Sequence, residues 1–194
     1  MSNKTGRLII ISSPSGGGKD SVIRALLKIF SNSTRIVNTT SRPPRPGNIE
    51  GADYHFISRE QFKKQIKNGD FLEYNLYAGN YYGTEKSKLE QLLKKYDLVF
   101  TQIEVNGKHN LDKKNIKSIS IFLLPENLEI LKKRIQKRGG LTSTIITDRL
   151  KTAKKEIAAS IDYNYRVVNK DGKFEDTVKE VADIIRSILT KNDK

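Results

Sequence analysis

Apolar residues along the chain fall into two alternating patterns. Short continuous runs, rich in β-branched residues, occur at Leu8 to Ile11, Leu98 to Phe100 with Ile103 beyond, Ile119 to Leu124, and Tyr165 to Val168. Such runs predict strands buried on both faces. Between them apolar positions recur at helical spacing: Val22, Ile23, Leu26, Leu27 and Phe30; Leu89, Leu92 and Leu93 behind a capping Thr84; Leu128, Leu131 and Ile135, ended by Gly139 and Gly140; a further segment from Ile145; and Phe174, Val178, Val181, Ile185 and Ile188. Strands alternating with helices predict an α/β fold with a parallel sheet, whose ligands bind at the carboxyl ends of the strands.

Residues 38 to 86 break this rhythm. NTTSRPPRPGNIEGADYHF is rich in Pro, Gly and Thr and excludes a long helix. Ser58 to Gln61 has the spacing of a capping box, with Phe62 and Ile66 on one helical face behind it. FLEYNLYAGNYYG reads as two strands and a turn. The block is expected to be an inserted, mostly β subdomain.

Composition narrows the function classes. The 194 residues suit one domain with a sizeable core. Without cysteine there are no disulfides or thiolate metal sites, and His55 and His109 are too few for a histidine cluster. No apolar run is long enough to span a bilayer, and the N-terminal one is too short for a secretory signal, so a cytoplasmic protein without membrane partners is expected. A net charge of +14 raises the question of nucleic acid, but the lysines are scattered along the helices as on a solvated surface. A nucleic-acid partner is therefore not expected, and the oligomeric state stays open.

The chemistry begins at SSPSGGGKDS, residues 12 to 21. Small residues between a buried strand and a helix leave backbone N–H groups free to converge on phosphate, and a lysine and the helix N-terminus add positive potential. Ser13, Pro14, Ser15, Gly16, Gly17, Gly18, Lys19, Asp20 and Ser21 are the expected ATP-binding loop. The usual pattern is G-x-x-x-x-G-K-[ST]. Here Ser13 replaces its first glycine and Asp20 its final hydroxyl residue. The plainer alternative is a glycine-rich turn that merely precedes a helix; the flanking strand and helix argue against it.

Four further stretches, TTSRPPRPG, GADYHF, GDFLEY and GNYYGT, follow in that order and spacing. Together with the loop they closely resemble guanylate kinases over nearly the whole chain. The resemblance implies a P-loop nucleoside monophosphate kinase fold: a core from residues 1–37, 87–125 and 162–194, a GMP-binding subdomain at 38–86 and a helical lid at 126–161. It implies transfer of the ATP γ-phosphoryl group to GMP, and to dGMP, with Mg²⁺ as cofactor and ATP as co-substrate. Arg42 and Arg45 match the arginines on the GMP phosphate, which suits forked guanidinium groups. Tyr54 and Tyr82 match its phosphate-binding tyrosines. Glu73 matches the carboxylate that reads guanine, whose N1–H and 2-amino group are adjacent donors. Thr84 and Glu104 match guanine-side positions. Arg134 and Arg138, four apart on one helix, and Arg149 match the arginines that neutralise the transferring phosphoryl group, and Lys19 completes the catalytic set. Asn169 matches an adenine-side contact.

The chain departs from the family pattern at four places. Asn38 stands for a serine on the GMP phosphate, Asn48 for a glutamate, and Gln102 for an acid near the metal, while Asp20 is an unexpected acid. A carboxylate shifted to Asp20 as a Mg²⁺ contact is one reading; a favourable charge at a helix start is the other. Two other functions remain open at this point: an inactive phosphopeptide-binding module of the same fold, and a kinase of another small phosphate ester.

Overall fold

The computed structural model describes residues 5–77, 79–137 and 140–191. The chain divides into two compact units, one built from residues up to Ile9 with Asn32–Ser118, the other from Ile10–Ser31 with residues from Ile119 onward. The first strand, β1 (Arg7–Ser12), contributes to both.

In the first unit, β2 (Ser33–Arg35) pairs in parallel with β7 (Leu98–Thr101). A second sheet has the order β4-β3-β6-β5, from β3 (Thr39–Thr40), β4 (His55–Phe56), β5 (Phe71–Tyr77) and β6 (Asn80–Glu85). The β5–β6 pair is the hairpin that the alternation around residues 71–83 predicts. Helix α2 (Arg59–Asn68) opens with the expected capping box: the Gln61 N–H donates to Ser58 Oγ at 3.1 Å, and the Ser58 N–H to Gln61 Oε1 at 2.9 Å. Such a cap stabilises a helix by about 1 kcal/mol. The Phe62 ring of α2, fully buried, stacks on Phe71 at 4.3 Å and on Tyr81 at 5.2 Å, which fastens the helix to the hairpin.

Two local expectations give way here. Thr84 is not a helix cap; it lies inside β6, and Glu85 precedes α3 (Lys86–Lys95). The strand expected to run on toward Ile103 stops at Thr101, and the chain enters α4 (Val105–Lys113), which no apolar period announces. Its sequence, VNGKHNLDK, carries only two large apolar residues, Val105 and Leu111, both buried.

The second unit holds α1 (Lys19–Ile29), β8 (Ile119–Pro125), α5 (Leu128–Lys137), α6 (Ser143–Ala159), a short 3-10 turn, β9 (Tyr165–Asn169) and α7 (Phe174–Lys191). Strands β8 and β9 pair in parallel from Ile121↔Tyr165 to Pro125↔Asn169. Parallel strand pairs with helices between them in sequence, β2 with β7 in the first unit and β8 with β9 in the second, bear out the expected α/β class. Ile9, Ile10, Ile11, Phe100, Phe122 and Leu123 are fully enclosed, as unbroken apolar runs require. Each such side chain contributes about 1.5–3 kcal/mol of burial. Leu131 and Ile135 of α5 pack with Ile146 and Ala153 of α6.

Candidate active site

The glycine loop takes up the turn between β1 and α1. Gly18 sits at φ +91°, a left-handed conformation that glycine adopts without penalty, and a β-carbon there would come within 2.7 Å of Asn169 Nδ2. Asn169, buried at the end of β9, donates to the Gly17 carbonyl at 3.0 Å and accepts from the Thr177 hydroxyl at 3.1 Å. The Gly17 N–H closes the turn onto the Pro14 carbonyl at 2.8 Å. Tyr163 Oη donates to Ser12 Oγ at 2.8 Å just before the loop. Lys19 and Asp20 follow as the first residues of α1, both half-buried, with Ser21 exposed.

Two of the expected arginines come into view around this loop. Arg149 Nη1 donates to Ser15 Oγ at 3.3 Å. Arg134 is tied elsewhere, with Nη2 donating to Asp171 Oδ1 at 3.0 Å and to the Asn169 carbonyl at 3.3 Å. Arg138 lies outside the described residues.

The first unit assembles the residues expected on GMP into two groups. In one, the Arg42 guanidinium lies 5.7 Å from the ring centres of both Tyr54 and Phe56, and Tyr54 meets Tyr82 edge-on at 5.8 Å. Arg42 Nη2 donates to Asn48 Oδ1 at 2.9 Å, and the same oxygen accepts the Arg45 N–H at 3.0 Å. The amide that replaces the family's acid thus organises the arginine turn without adding negative charge. The Arg45 side chain is exposed.

The other group is a buried polar pocket. Glu73 on β5 and Thr84 on β6 are direct partners in the hairpin, next to a bulge between Phe71 and Glu73. Glu73 is 4% exposed and Thr84 2%. The Thr84 hydroxyl reaches Glu73 Oε1 at 2.7 Å. Asn38, 5% exposed, reaches the same hydroxyl at 3.2 Å and donates from Nδ2 to the Gln102 carbonyl at 3.1 Å. Both ends of the Asn38 amide are therefore engaged, one on the Gln102 carbonyl and one on the Thr84 hydroxyl. Glu104 stands at the start of α4, where its Oε2 accepts from Asn75 Nδ2 at 3.3 Å. Gly107 of α4 gives Glu73 its room, since a β-carbon there would come within 2.8 Å of Glu73 Oε2. Burial pushes the Glu73 carboxyl up to about 7, Glu104 adds to the rise, and the Thr84 hydroxyl and the Lys114 ammonium pull the other way.

A family model for guanylate kinase matches residues 5–188. The chain belongs to the guanylate kinase family. It is 42% identical over 183 residues to a guanylate kinase of Clostridium perfringens, strain SM101, covering 94% of this chain and 84% of the relative. It is 42% identical over 189 residues to one from Clostridium tetani, covering 97% of this chain and 89% of that one. The crystal structure of guanylate kinase from Anaplasma phagocytophilum superposes with a TM-score of 0.77 at 30% identity, over 96% of this chain and 88% of that one. Gly107, Lys114, Thr177 and Asp171 make contacts that sequence reasoning did not anticipate. None carries a local signal, because each acts on a residue outside its own element.

Proposed function

We propose that this guanylate kinase performs its reaction, ATP and GMP giving ADP and GDP, with the residues of the two units in the roles that follow. One observation carries the reading: a carboxyl group buried to 4% exposure beside a buried hydroxyl, on facing strands. Ionised, Glu73 offers two acceptors to the N1–H and 2-amino donors of guanine. Adenine turns a bare acceptor toward the same edge. Burying that mismatch costs about 1–3 kcal/mol or more, enough to reject it. Thr84 and Glu104 complete the guanine side. Arg42, Arg45, Tyr54 and Tyr82 hold the GMP phosphate. The reading extends to dGMP, which carries the same guanine edge and phosphate.

Ser13 to Ser21 cradle the ATP phosphates through backbone N–H groups and Lys19, with Asn169 supporting the loop from β9. A GMP phosphate oxygen attacks the γ-phosphorus in line, the bond to the β-phosphate bridging oxygen breaks, and ADP leaves. The protein's task is to position the nucleotides and neutralise charge. Lys19, Arg134, Arg138 and Arg149 are the groups for this. The 38–86 subdomain and the 126–161 lid close over bound nucleotides and keep water from ATP.

The donor chemistry fits Mg²⁺. Among the described residues no group of three histidines or acids is poised for a metal, and Mg²⁺ needs none, because it keeps waters and takes one or two carboxylates beside substrate phosphates. Asp20, in the first turn of α1, is the carboxylate for that role. When bound, Mg²⁺ neutralises charge on the ATP phosphates. Among the described residues no helix is long and apolar enough to cross a membrane.

A coupled assay with ATP and each of GMP, dGMP, AMP, CMP and UMP tests the reading. GMP and dGMP should far outrun the others, and Glu73→Gln should raise the GMP Michaelis constant with little change for ATP. Comparable rates with AMP would overturn it.

A further inference from the structure

The pocket around Glu73 contains a proton-counting conflict. The Asn38 amide has only one workable orientation. Its Nδ2 faces the Gln102 carbonyl at 3.1 Å, where only a donor fits, so its Oδ1 faces Thr84 and must accept. Thr84 Oγ1 stands 3.2 Å from that oxygen and 2.7 Å from Glu73 Oε1. A hydroxyl carries one proton. If Glu73 is ionised, two acceptors compete for it: turned to Glu73, the hydroxyl leaves Asn38 Oδ1 without a donor, and turned to Asn38, it leaves two oxygens 2.7 Å apart with no proton between them, the carboxylate keeping only the Thr84 backbone N–H. If Glu73 is protonated, its O–H donates to Thr84 Oγ1, Thr84 donates to Asn38 Oδ1, and the chain of donors runs unbroken to the Gln102 carbonyl. An unmet buried acceptor costs about 1–3 kcal/mol, so the neutral acid is favoured.

We propose that Asn38 is a positioning residue that acts through Thr84 to keep Glu73 protonated in the ligand-free enzyme, so that GMP binding expels a proton. This rests on the reading of Glu73 as the guanine acceptor. Guanine's two donors need the carboxylate. Binding therefore releases the Glu73 proton to solvent and turns the Thr84 hydroxyl toward Glu73. A serine at residue 38, whose hydroxyl can donate as well as accept, imposes no such bias.

The charged surroundings agree in sign. Desolvation dominates and raises the carboxyl, and Glu104 at the start of α4 adds to it. Lys114, just past the end of α4, opposes, while its ammonium donates to the Leu72 carbonyl. Elsewhere on α4, Lys108 is paired with Asp112 at 2.7 Å, with His109 and Lys113 on the same helix. On β6, Glu85 is paired with Lys88 at 2.8 Å and accepts from Thr39. The Phe62–Phe71 stack beside the hairpin contributes no charge.

The test is a carbon-13 titration of the Glu73 carboxyl in the ligand-free full chain. Wild type should titrate near 7. Asn38→Ala removes the competing acceptor and should lower the midpoint by about one pH unit. Asn38→Ser, the smaller perturbation to folding, should lower it too. On a Thr84→Val background, where the relay is cut, Asn38→Ala should shift nothing. Calorimetry of GMP binding at about pH 6.5, in buffers of differing ionisation enthalpy, should show fewer protons released by Asn38→Ala than by wild type. The phosphate's own titration is common to both and cancels. Equal midpoints in wild type, Asn38→Ala and Asn38→Ser overturn the proposal. Unchanged GMP binding by Glu73→Gln overturns the pocket reading instead, and leaves the ligand-free titration to decide Asn38 by itself.

Discussion

The glycine loop and the Glu73 pocket recognise their ligands with different materials. The loop is one contiguous stretch, Ser13 to Lys19, in which the binding groups are backbone N–H and a single cation. The pocket is a set of side chains from residue 38, two paired strands and the start of α4, all nearly or partly out of solvent. Phosphate is recognised by a chain conformation, which needs small residues and little else. A purine edge is recognised by donors and acceptors of the right kind at fixed separations, which needs a scaffold. One consequence is energetic. The loop buries backbone and a small hydroxyl residue, Ser13, whereas the pocket buries a carboxyl, whose ionisation burial opposes.

The largest effect should come from the loop. Lys19→Met should lower turnover on the order of 1,000-fold, or about 4 kcal/mol of transition-state stabilisation. Equilibrium binding of GMP should survive, because the pocket that reads the base lies in the other unit. Loss of GMP affinity in this variant would break the division of labour.

The pocket has a signature of its own in stability. Glu73 titrates near 4.5 when unfolded and near 7 when folded. Between those values the native state binds more protons than the unfolded one, so stability falls as pH rises. Above pH ~8 the full cost, about 3 kcal/mol, is in place. Thermal melts of ligand-free Glu73→Gln should therefore lie above wild type at pH ~8, and the gap should close toward pH ~5. A wild-type curve parallel to the variant across that range would mean that the carboxyl is hydrated.

The same contrast explains what could be read from the sequence. The sheet strands announce themselves as apolar runs, and the loop as glycines between a strand and a helix, because both are local patterns. The capping box at Ser58 was legible for the same reason. Helix α4 was not. Its start is set by where Glu104 and Gly107 must stand against Glu73, not by an apolar period. Thr84 reads as a cap in isolation, because a threonine before a helix is one. Only its pairing with Glu73 across the hairpin makes it a pocket residue. The bonds that Asn38 makes to the Gln102 carbonyl and the Thr84 hydroxyl were not legible either. Side chains that meet from residues 38, 73, 84 and 104 leave no trace in spacing, so the resemblance to a family was the only route to them.

The arginines test the loop side at intermediate size. Arg149 already touches Ser15, while Arg134 is held by Asp171. Arg149→Ala and Arg134→Ala should each lower the turnover number ~10-fold, or ~1.4 kcal/mol, at saturating nucleotides. Asp171→Ala, which releases Arg134 without removing it, should cost less than Arg134→Ala. Equal losses would mean that the Arg134–Asp171 pair acts as one unit in catalysis.

The smallest effect belongs to Asp20, where the loop departs from its usual chemistry. In the first turn of α1 a carboxylate is favourable by ~0.3–1 kcal/mol whether or not a metal binds, so a loss of stability in Asp20→Ala decides nothing. Beside a polyphosphate, however, an uncompensated carboxylate repels. A bound cation reverses that sign, because Mg²⁺ takes carboxylate oxygens readily while keeping most of its waters. The two roles separate in a magnesium titration of the rate at fixed ATP. A metal contact predicts that Asp20→Ala needs several-fold more Mg²⁺ for half-maximal rate, and that Asp20→Ser, which restores the usual hydroxyl of such loops, recovers part of the difference. A helix-start role predicts three superimposable curves. Superimposable curves would leave the loop a purely backbone device, and the contrast with the side-chain pocket would then be sharper than the one drawn above.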